Sequence, residues 1–390
     1  MSIVAVLSVP YWLDSPAERY PPLDGDESVD VAVVGGGVTG LACARVLAEA
    51  GLRVCVLEAR RVGGGASGRN GGFALRGLAI PYAELRVPEL WRLTEEGLER
   101  VAALAGDLFR PVGSMYLAVS EEELAKGAAE RDALAADGFT VEWRGRNELP
   151  EILRQEFLGG LWYPQDGLLD PGRWTRRLAV LATESGAAIS EETRADGLDG
   201  TRIRTSRGTM SAGHVVLATD GYTDGLVPEI DRLITPARNQ VLATAPLPER
   251  YFEPALYARS GYDYWQQTSE GRIVIGGWRD ADLEAEFTRS EETTPAIQSR
   301  LEAFLERVLG SVPEVTHRWA GLIGLTPDHL PLVGPVFGRQ GVWAALGYSG
   351  HGNVLALACG EAIAHAILGE PDPRLAPFSP ERFPAAPERD

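Results

Sequence analysis

The chain has 390 residues, 45% of them hydrophobic and 24% charged, the balance of a soluble globular protein with room for more than one domain. A formal net charge of −18 and a pI near 4.8 exclude the basic surface that a nucleic acid or an anionic membrane demands. Three cysteines with no Cys-x-x-Cys pair exclude a disulfide framework and a zinc site.

Cys43, Cys55 and Cys359 fall in apolar runs and are expected to be small core residues, which points to a reducing cytoplasm. The opening segment has no basic region ahead of its apolar patch, so no secretory leader is expected, and no apolar run reaches the length of a membrane helix. Residues 1–28, rich in proline and acids, read as an extended arm on which Tyr11 and Trp12 are candidate anchors.

The stretch Val29 to Phe73 is the most informative. Val31 to Val34 is an unbroken apolar run, as in a parallel strand covered on both faces. Gly35-x-Gly37-x-x-Gly40 follows directly and opens a helix from Val38 to about Ala50, with Gly51 as its stop. Gly35 can take a positive φ, Gly37 leaves the backbone bare for a pyrophosphate, and Gly40 lets the helix sit close to the strand. The helix N-terminus aims free N–H groups at the phosphates. A second strand, Leu52 to Leu57, ends at Glu58, placed to accept hydrogen bonds from a ribose diol and to disfavour a 2′-phosphate. A second glycine-rich loop, "GGGASGRNGG", runs to Gly72.

Beyond Phe73 the pattern is helical from about Ala83 to Leu108, then a strand at Ser114 to Ser120, a helix at Glu121 to Ala136, and a strand at Phe139 to Trp143. A helix starts near Pro171. "AAIS" and "TRADGL" suggest a strand pair returning to the first unit, and the strand His214 to Ala218 ends in small residues at a sheet's carboxyl edge. Leu233 to Trp278 is β-like, with a hairpin turn at Thr268 to Arg272. Ile297 to Leu309 is an amphipathic helix, and the strand Val342 to Leu346 leads through "GYSGHGN" into a helix ending at Leu368. Gly347, Gly350 and Gly352 allow close approach to a flat ring, and the helix N-terminus behind them would stabilise negative charge on it.

These blocks together resemble the FAD-dependent amine and amino-acid oxidase superfamily, which includes D-amino-acid, glycine and sarcosine oxidases. The resemblance rests on Val29–Phe73, "VVLATDGYT", "TPDHLPLVGP" and "GYSGHGN"; "GASGRNGG" with "GYSGHG" is most similar to gamma-glutamylputrescine oxidase-like proteins. It implies an α/β (α+β) fold, with a Rossmann-like FAD-binding domain and an inserted, mostly antiparallel substrate domain. The FAD-binding domain would comprise 29–90, 150–225 and 318–375, and the substrate domain 91–149 and 226–317.

By position, the resemblance implies that Gly35, Gly37 and Gly40 cradle the pyrophosphate and that Glu58 binds the ribose. Arg60, Ala66, Ser67, Arg69, Asn70, Gly71 and Gly72 would line the pyrophosphate and the flavin. Ala195 would touch the adenine end, and Ala218, Thr219 and Gly221 would close over ribose and phosphates. Gly334 and the segment Tyr348, Ser349, Gly350, His351, Gly352 and Asn353 would approach the isoalloxazine ring. With no cysteine near Gly321 and no histidine before His214, the FAD is expected to be noncovalent.

The implied chemistry is oxidation of the CH–NH bond of a small amine or amino acid to an imine, by hydride transfer to flavin N5, with oxygen reoxidising the cofactor to give hydrogen peroxide. The alternatives are a dehydrogenase passing electrons to a quinone or carrier protein, and a non-catalytic or redox-sensing flavoprotein. Tyr264 and Trp278 are expected pocket walls and His351 a candidate base. Gln266 stands where relatives often carry an arginine after an aromatic pair, which favours an amine without a neighbouring carboxylate; Arg279 and Arg238 are the substitutes for such a clamp. The one lysine, Lys126, is expected on a solvated face, so a lysine that activates oxygen is expected to be lacking.

Overall fold

The computed structural model describes residues 9–223 and 225–383. Glu27–Val34 lies between Gly208–Leu217 and Val54–Leu57, parallel to both, and Ala188–Ser190 extends the parallel run past Val54–Leu57. The long strand Gly208–Leu217 is paired twice along its outer edge. Its first half meets antiparallel Arg202–Thr205, and its last residues meet parallel Val342–Leu346.

Val31 to Val34 can be wholly apolar because both faces of this sheet are covered. One face carries the helices Val38–Glu49, Pro171–Glu184 and Gly352–Ile367, which bury Leu41, Leu47, Trp174, Leu178, Leu355 and Ile363 in one cluster. Each such side chain contributes roughly 1.5–3 kcal/mol by leaving water. The first and last helices approach closely, since a Cβ on Gly360 would come 2.3 Å from the Thr39 carbonyl oxygen. On the other face, Ala32, Val34 and Val215 pack with Ile230 and Leu332.

A second eight-stranded sheet is antiparallel except where Ala255–Ala258 runs parallel to Ser114–Ala118. Its order begins with Val315–Leu325 and Thr235–Thr244, and Gly159–Tyr163 lies near its other edge. The fold is the α/β arrangement expected from the sequence, a Rossmann-like unit beside a mostly antiparallel sheet. Two segments that the sequence reading assigns to the nucleotide unit, Gly159–Tyr163 and the end of Val315–Leu325, hydrogen-bond in the second sheet.

Several element expectations change. The helix read from Ala83 to Leu108 is broken into Tyr82–Leu85 and Pro88–Ala105. Arg86 takes a left-handed φ of 44°, and Pro88 keeps Val87 out of the helical region. The strand read at Phe139 to Trp143 lies at Glu142–Gly145. "AAIS" and "TRADGL" do not pair with each other: Ala188–Ser190 joins Val54–Leu57, and Ala195–Asp199 joins Arg202–Thr205. The hairpin around Thr268 to Arg272 is present, between Asp263–Gln267 and Ile273–Gly277. All three cysteines are buried and free. Among the described residues no helix is long and apolar enough to cross a membrane.

Candidate functional site

The parallel strands end at the glycine turn. Gly35 has φ +116°, and a Cβ there would stand 2.4 Å from the Ala218 carbonyl oxygen. The turn is tied at both sides, with Gly35 N–H donating to Leu57 O at 2.9 Å and Ala218 N–H to Val34 O at 2.9 Å. Glu58 accepts from Gly36 N–H at 2.7 Å and from Arg60 N–H at 2.8 Å. Burial raises its pKa, opposed by those backbone bonds. The carboxylate thus holds the turn itself, and each oxygen keeps a second lone pair for a ribose hydroxyl. Gly36 is a further requirement, because its Cβ would come 3.1 Å from the Glu58 side chain.

The second glycine loop lies against the start of the first helix. Ser67 Oγ accepts from Val38 N–H at 3.1 Å, and a Cβ on Gly37 would stand 2.8 Å from that oxygen. Asn70 and Asn353 join this loop to the last helix. Asn353 Nδ2 donates to Asn70 Oδ1 at 3.0 Å and to Phe73 O at 2.8 Å, and Asn70 Oδ1 accepts from Gly72 N–H at 2.8 Å. Trp12 of the arm donates to Asn70 O at 2.9 Å, so the arm braces this loop. Arg69 is spent on the carbonyls of Gly64 and Ala320.

An unassigned residue, Asp220, organises the far side. Oδ1 accepts from Gly347 N–H at 3.0 Å and Tyr348 N–H at 3.3 Å, and Oδ2 accepts from Gly324 N–H at 3.1 Å. Its φ of 45° lies in the left-handed region, which Asp tolerates better than most residues. Thr39 and Tyr348 hydroxyls share a hydrogen bond of 2.8 Å across the two helix starts.

These elements enclose a cavity of about 240 Å³. Among its walls are Gly37 and Val38 at one helix start, Ser67 and Asn70 in the loop, and Gly350 to Asn353 at the other helix start. The N-cap residues, Gly37 and His351, make no side-chain cap of their own; at the first helix Ser67 Oγ takes the Val38 N–H. Two helix N-termini therefore face one cavity that glycine backbones line, which fits a dianionic pyrophosphate at one end and an electron-accepting ring at the other.

Tyr264 lines this cavity, edge-on to Phe73 at 5.9 Å, and burial keeps its phenol protonated by raising its pKa. Arg279 lines it too; its guanidinium lies 4.6 Å over the Tyr262 ring and has no carboxylate partner among the described residues. Gln266 is consumed by a hydrogen bond to Gly71 O, and Arg238 is buried in a two-pronged ion pair with Glu286 at 2.8 Å.

Other candidate residues lie outside this cavity. Trp278 lines neither this cavity nor its neighbour and packs in the core, 5.2 Å from Phe304. Gly277 (φ +112°) and Trp278 (φ 58°) end the strand's alternation and turn the indole away. A Cβ on Gly334 would meet Pro380 at 3.3 Å, so that glycine serves the C-terminal segment rather than the cavity. Ala195, expected at the adenine end, and Thr219 and Gly221, expected over ribose and phosphates, lie outside this cavity's walls; Gly221 is required by Ile323, whose backbone carbonyl carbon lies 3.0 Å from its virtual Cβ.

His351 lines both cavities, and burial drops its pKa from 6.5 to about 4. Because the unfolded chain takes up this proton near pH 6.5 and the folded chain resists until about pH 4, stability is full above that window and lost as pH falls through it. The loss by the lower end is expected to be about 3 kcal/mol. Urea midpoints followed across that window should fall less steeply in His351→Gln; equal slopes would remove His351 as the cause.

The model of the family described as FAD dependent oxidoreductase matches residues 30–366. Gamma-glutamylputrescine oxidoreductase of Escherichia coli is 28% identical over 389 residues, covering 91% of this chain and 88% of its own. Glycine oxidase of Geobacillus kaustophilus superposes with a TM-score of 0.79 at 22% identity, covering 92% of this chain and 100% of that one. L-proline dehydrogenase of P. horikoshii superposes with a TM-score of 0.77 at 24% identity, covering 93% and 98%.

Proposed function

Because the chain belongs to the FAD dependent oxidoreductase family, we propose that it binds FAD noncovalently in the cavity between the two helix N-termini and oxidises the CH–NH bond of an amine or amino acid. The observation that carries this reading is the pair of helix N-termini, neither capped by its own N-cap residue, on one glycine-lined cavity. In this reading Gly35, Gly37, Gly40 and Ser67 hold the pyrophosphate and Glu58 the ribose, while Asn70, Gly71 and Tyr348 to Asn353 border the ring. Thr219 and Ala195 belong to the adenosine side. The absence of cysteine from the cavity wall supports a noncovalent cofactor.

FAD, when bound, supplies the two-electron acceptor. The protein's own part is to orient and desolvate the substrate. Tyr264 and Phe73 offer ring surface to the substrate carbon. The neutral imidazole of His351 accepts a hydrogen bond from the amine above about pH 4 without adding charge. Exclusion of water around these walls favours the neutral amine, whose lone pair the oxidation needs. The guanidinium of Arg279, with no carboxylate partner among the described residues, supports a carboxylate-bearing substrate, and so an amino acid rather than a simple amine. Among relatives, the E. coli protein is a gamma-glutamylputrescine oxidoreductase and the G. kaustophilus protein a glycine oxidase, consistent with amine and amino-acid chemistry.

Oxygen is the acceptor in this reading. A dehydrogenase reading is favoured by one observation: Lys126 is exposed, paired with Glu122 at 2.8 Å, and lines a different cavity, so no lysine borders the ring. The test is anaerobic addition of amines and amino acids to the FAD-loaded protein, followed by air and a peroxide assay. Bleaching of the flavin followed by peroxide is expected. No bleaching across a broad panel would overturn the function, and bleaching without peroxide would select the dehydrogenase. In Arg279→Gln, KM for an amino-acid substrate should rise roughly 100-fold with little change for the matching decarboxylated amine. Equal rises for both would remove the carboxylate contact.

A further inference from the structure

Beside the flavin-side cavity lies a larger one of about 510 Å³, and the two share Ala79, Tyr257, Ser260, Gly261 and His351 in their walls. We propose that this chamber receives the non-reacting part of the substrate as an apolar chain, so that amines or amino acids with a long aliphatic or aromatic tail are preferred over small ones. The inference rests on the reading of the joined cavity as the reaction site.

The chamber is built from the broken helix at Tyr82–Leu85 and Pro88–Ala105, the helix Glu121–Ala136, and strands of the second sheet. Its walls present Leu78, Ile80, Leu85, Leu90, Trp91 and Tyr163. Most polar groups among them are engaged; Arg76 Nη2 and Trp91 Nε1 are buried there without a hydrogen-bond partner. Arg76 donates to Asp166 at 2.9 Å and to Glu95 at 3.0 Å, and its guanidinium lies 5.4 Å over the Trp91 ring. Asp166 also accepts from Ser114 at 2.7 Å. Glu130 accepts from the N–H groups of Tyr82 at 2.9 Å and Ala83 at 2.8 Å. An occupant therefore meets ring and methyl surface, with few free hydrogen-bonding partners, and gains chiefly by leaving water.

Size points the same way. With the cofactor in the smaller cavity, a glycine-sized substrate beside His351 would leave most of the chamber to solvent. Exposed Glu84, Lys126 and Ala129 mark its mouth, so a chain anchored by its amine beside His351 runs outward past Tyr163 and Trp91.

The test uses the FAD-loaded protein titrated with straight-chain amines and carboxylates of increasing length, read as perturbation of the flavin absorption band and as a thermal midpoint. Affinity is expected to rise about fourfold per added methylene until the chamber is filled. Ile80→Trp, which fills the chamber, should abolish that length dependence; should it fail to fold, Ala129→Trp at the mouth serves the same purpose. Affinity that does not change with length, or no binding at all, would overturn the proposal, as would a length dependence that both variants leave intact. Length-dependent binding of ligands that never reduce the flavin would support the chamber and sink the oxidoreductase reading of the site.

Discussion

Gly40→Ala is expected to give a protein that is about 3–4 kcal/mol less stable and that purifies without yellow colour. A Cβ at Gly40 would stand 2.0 Å from the Gly35 carbonyl oxygen and 3.1 Å from Val33 Cγ1. Neither neighbour can give way. Gly35 is pinned to Leu57 by its N–H and lies against Ala218, and Val33 is fully buried in the sheet. Relief must come from the helix moving off the strand, which withdraws its N-terminus from the cavity. Gly51 is the control: it has φ +87° but nothing within 4 Å of its virtual Cβ. Gly51→Asn should cost below about 1 kcal/mol and keep the flavin, because Asn tolerates the left-handed region. Urea unfolding and the visible spectrum measure both. A yellow Gly40→Ala protein of wild-type stability would refute the close-approach argument.

Asp220→Ala is expected to cost about 2–4 kcal/mol and to weaken FAD retention more than its distance from the pyrophosphate turn suggests. Three backbone N–H groups, from Gly324, Gly347 and Tyr348, lose their acceptor together. These bonds bind the end of Gly208–Leu217 to Val315–Leu325 and to the entry of the last helix, so the second sheet and that helix start would loosen as one. Asp220→Asn keeps one acceptor oxygen and should recover about half of the loss. Denaturant midpoints and an FAD dissociation constant decide it. Asp220→Ala within about 0.5 kcal/mol of wild type, the range of ordinary surface substitutions, would show that the three contacts are not what holds the sheets together.

Much of the nucleotide unit was legible because its signals are local. An apolar run, a glycine turn, a helix and an acid occupy consecutive residues, and each has one physical use at its place. Even there the carboxylate of Glu58 proves to have a second job, closing on Gly36 N–H, that spacing alone does not reveal. Tyr264 as a cavity wall was readable from a run of aromatics on a hairpin strand. Trp278, just past the partner strand, turns into the core because Gly277 and Trp278 both take positive φ, which aromatic character alone does not reveal. The helix over Ala83 to Leu108 was misread for a related reason: its apolar spacing continues across Arg86 to Pro88, where the backbone cannot.

The sequence by itself determined the sheet-and-turn unit, the family resemblance and the glycine-rich entry of the last helix, because backbone freedom and burial act between neighbours in the chain. Only the tertiary structure decided which side chains meet. Asp220 reaches residues more than a hundred positions away, Asn70 meets Asn353, and the chamber draws on segments from Arg76 to His351. Contacts of that range follow from sheet register and helix crossing, and nothing in a local pattern of polar and apolar residues encodes them.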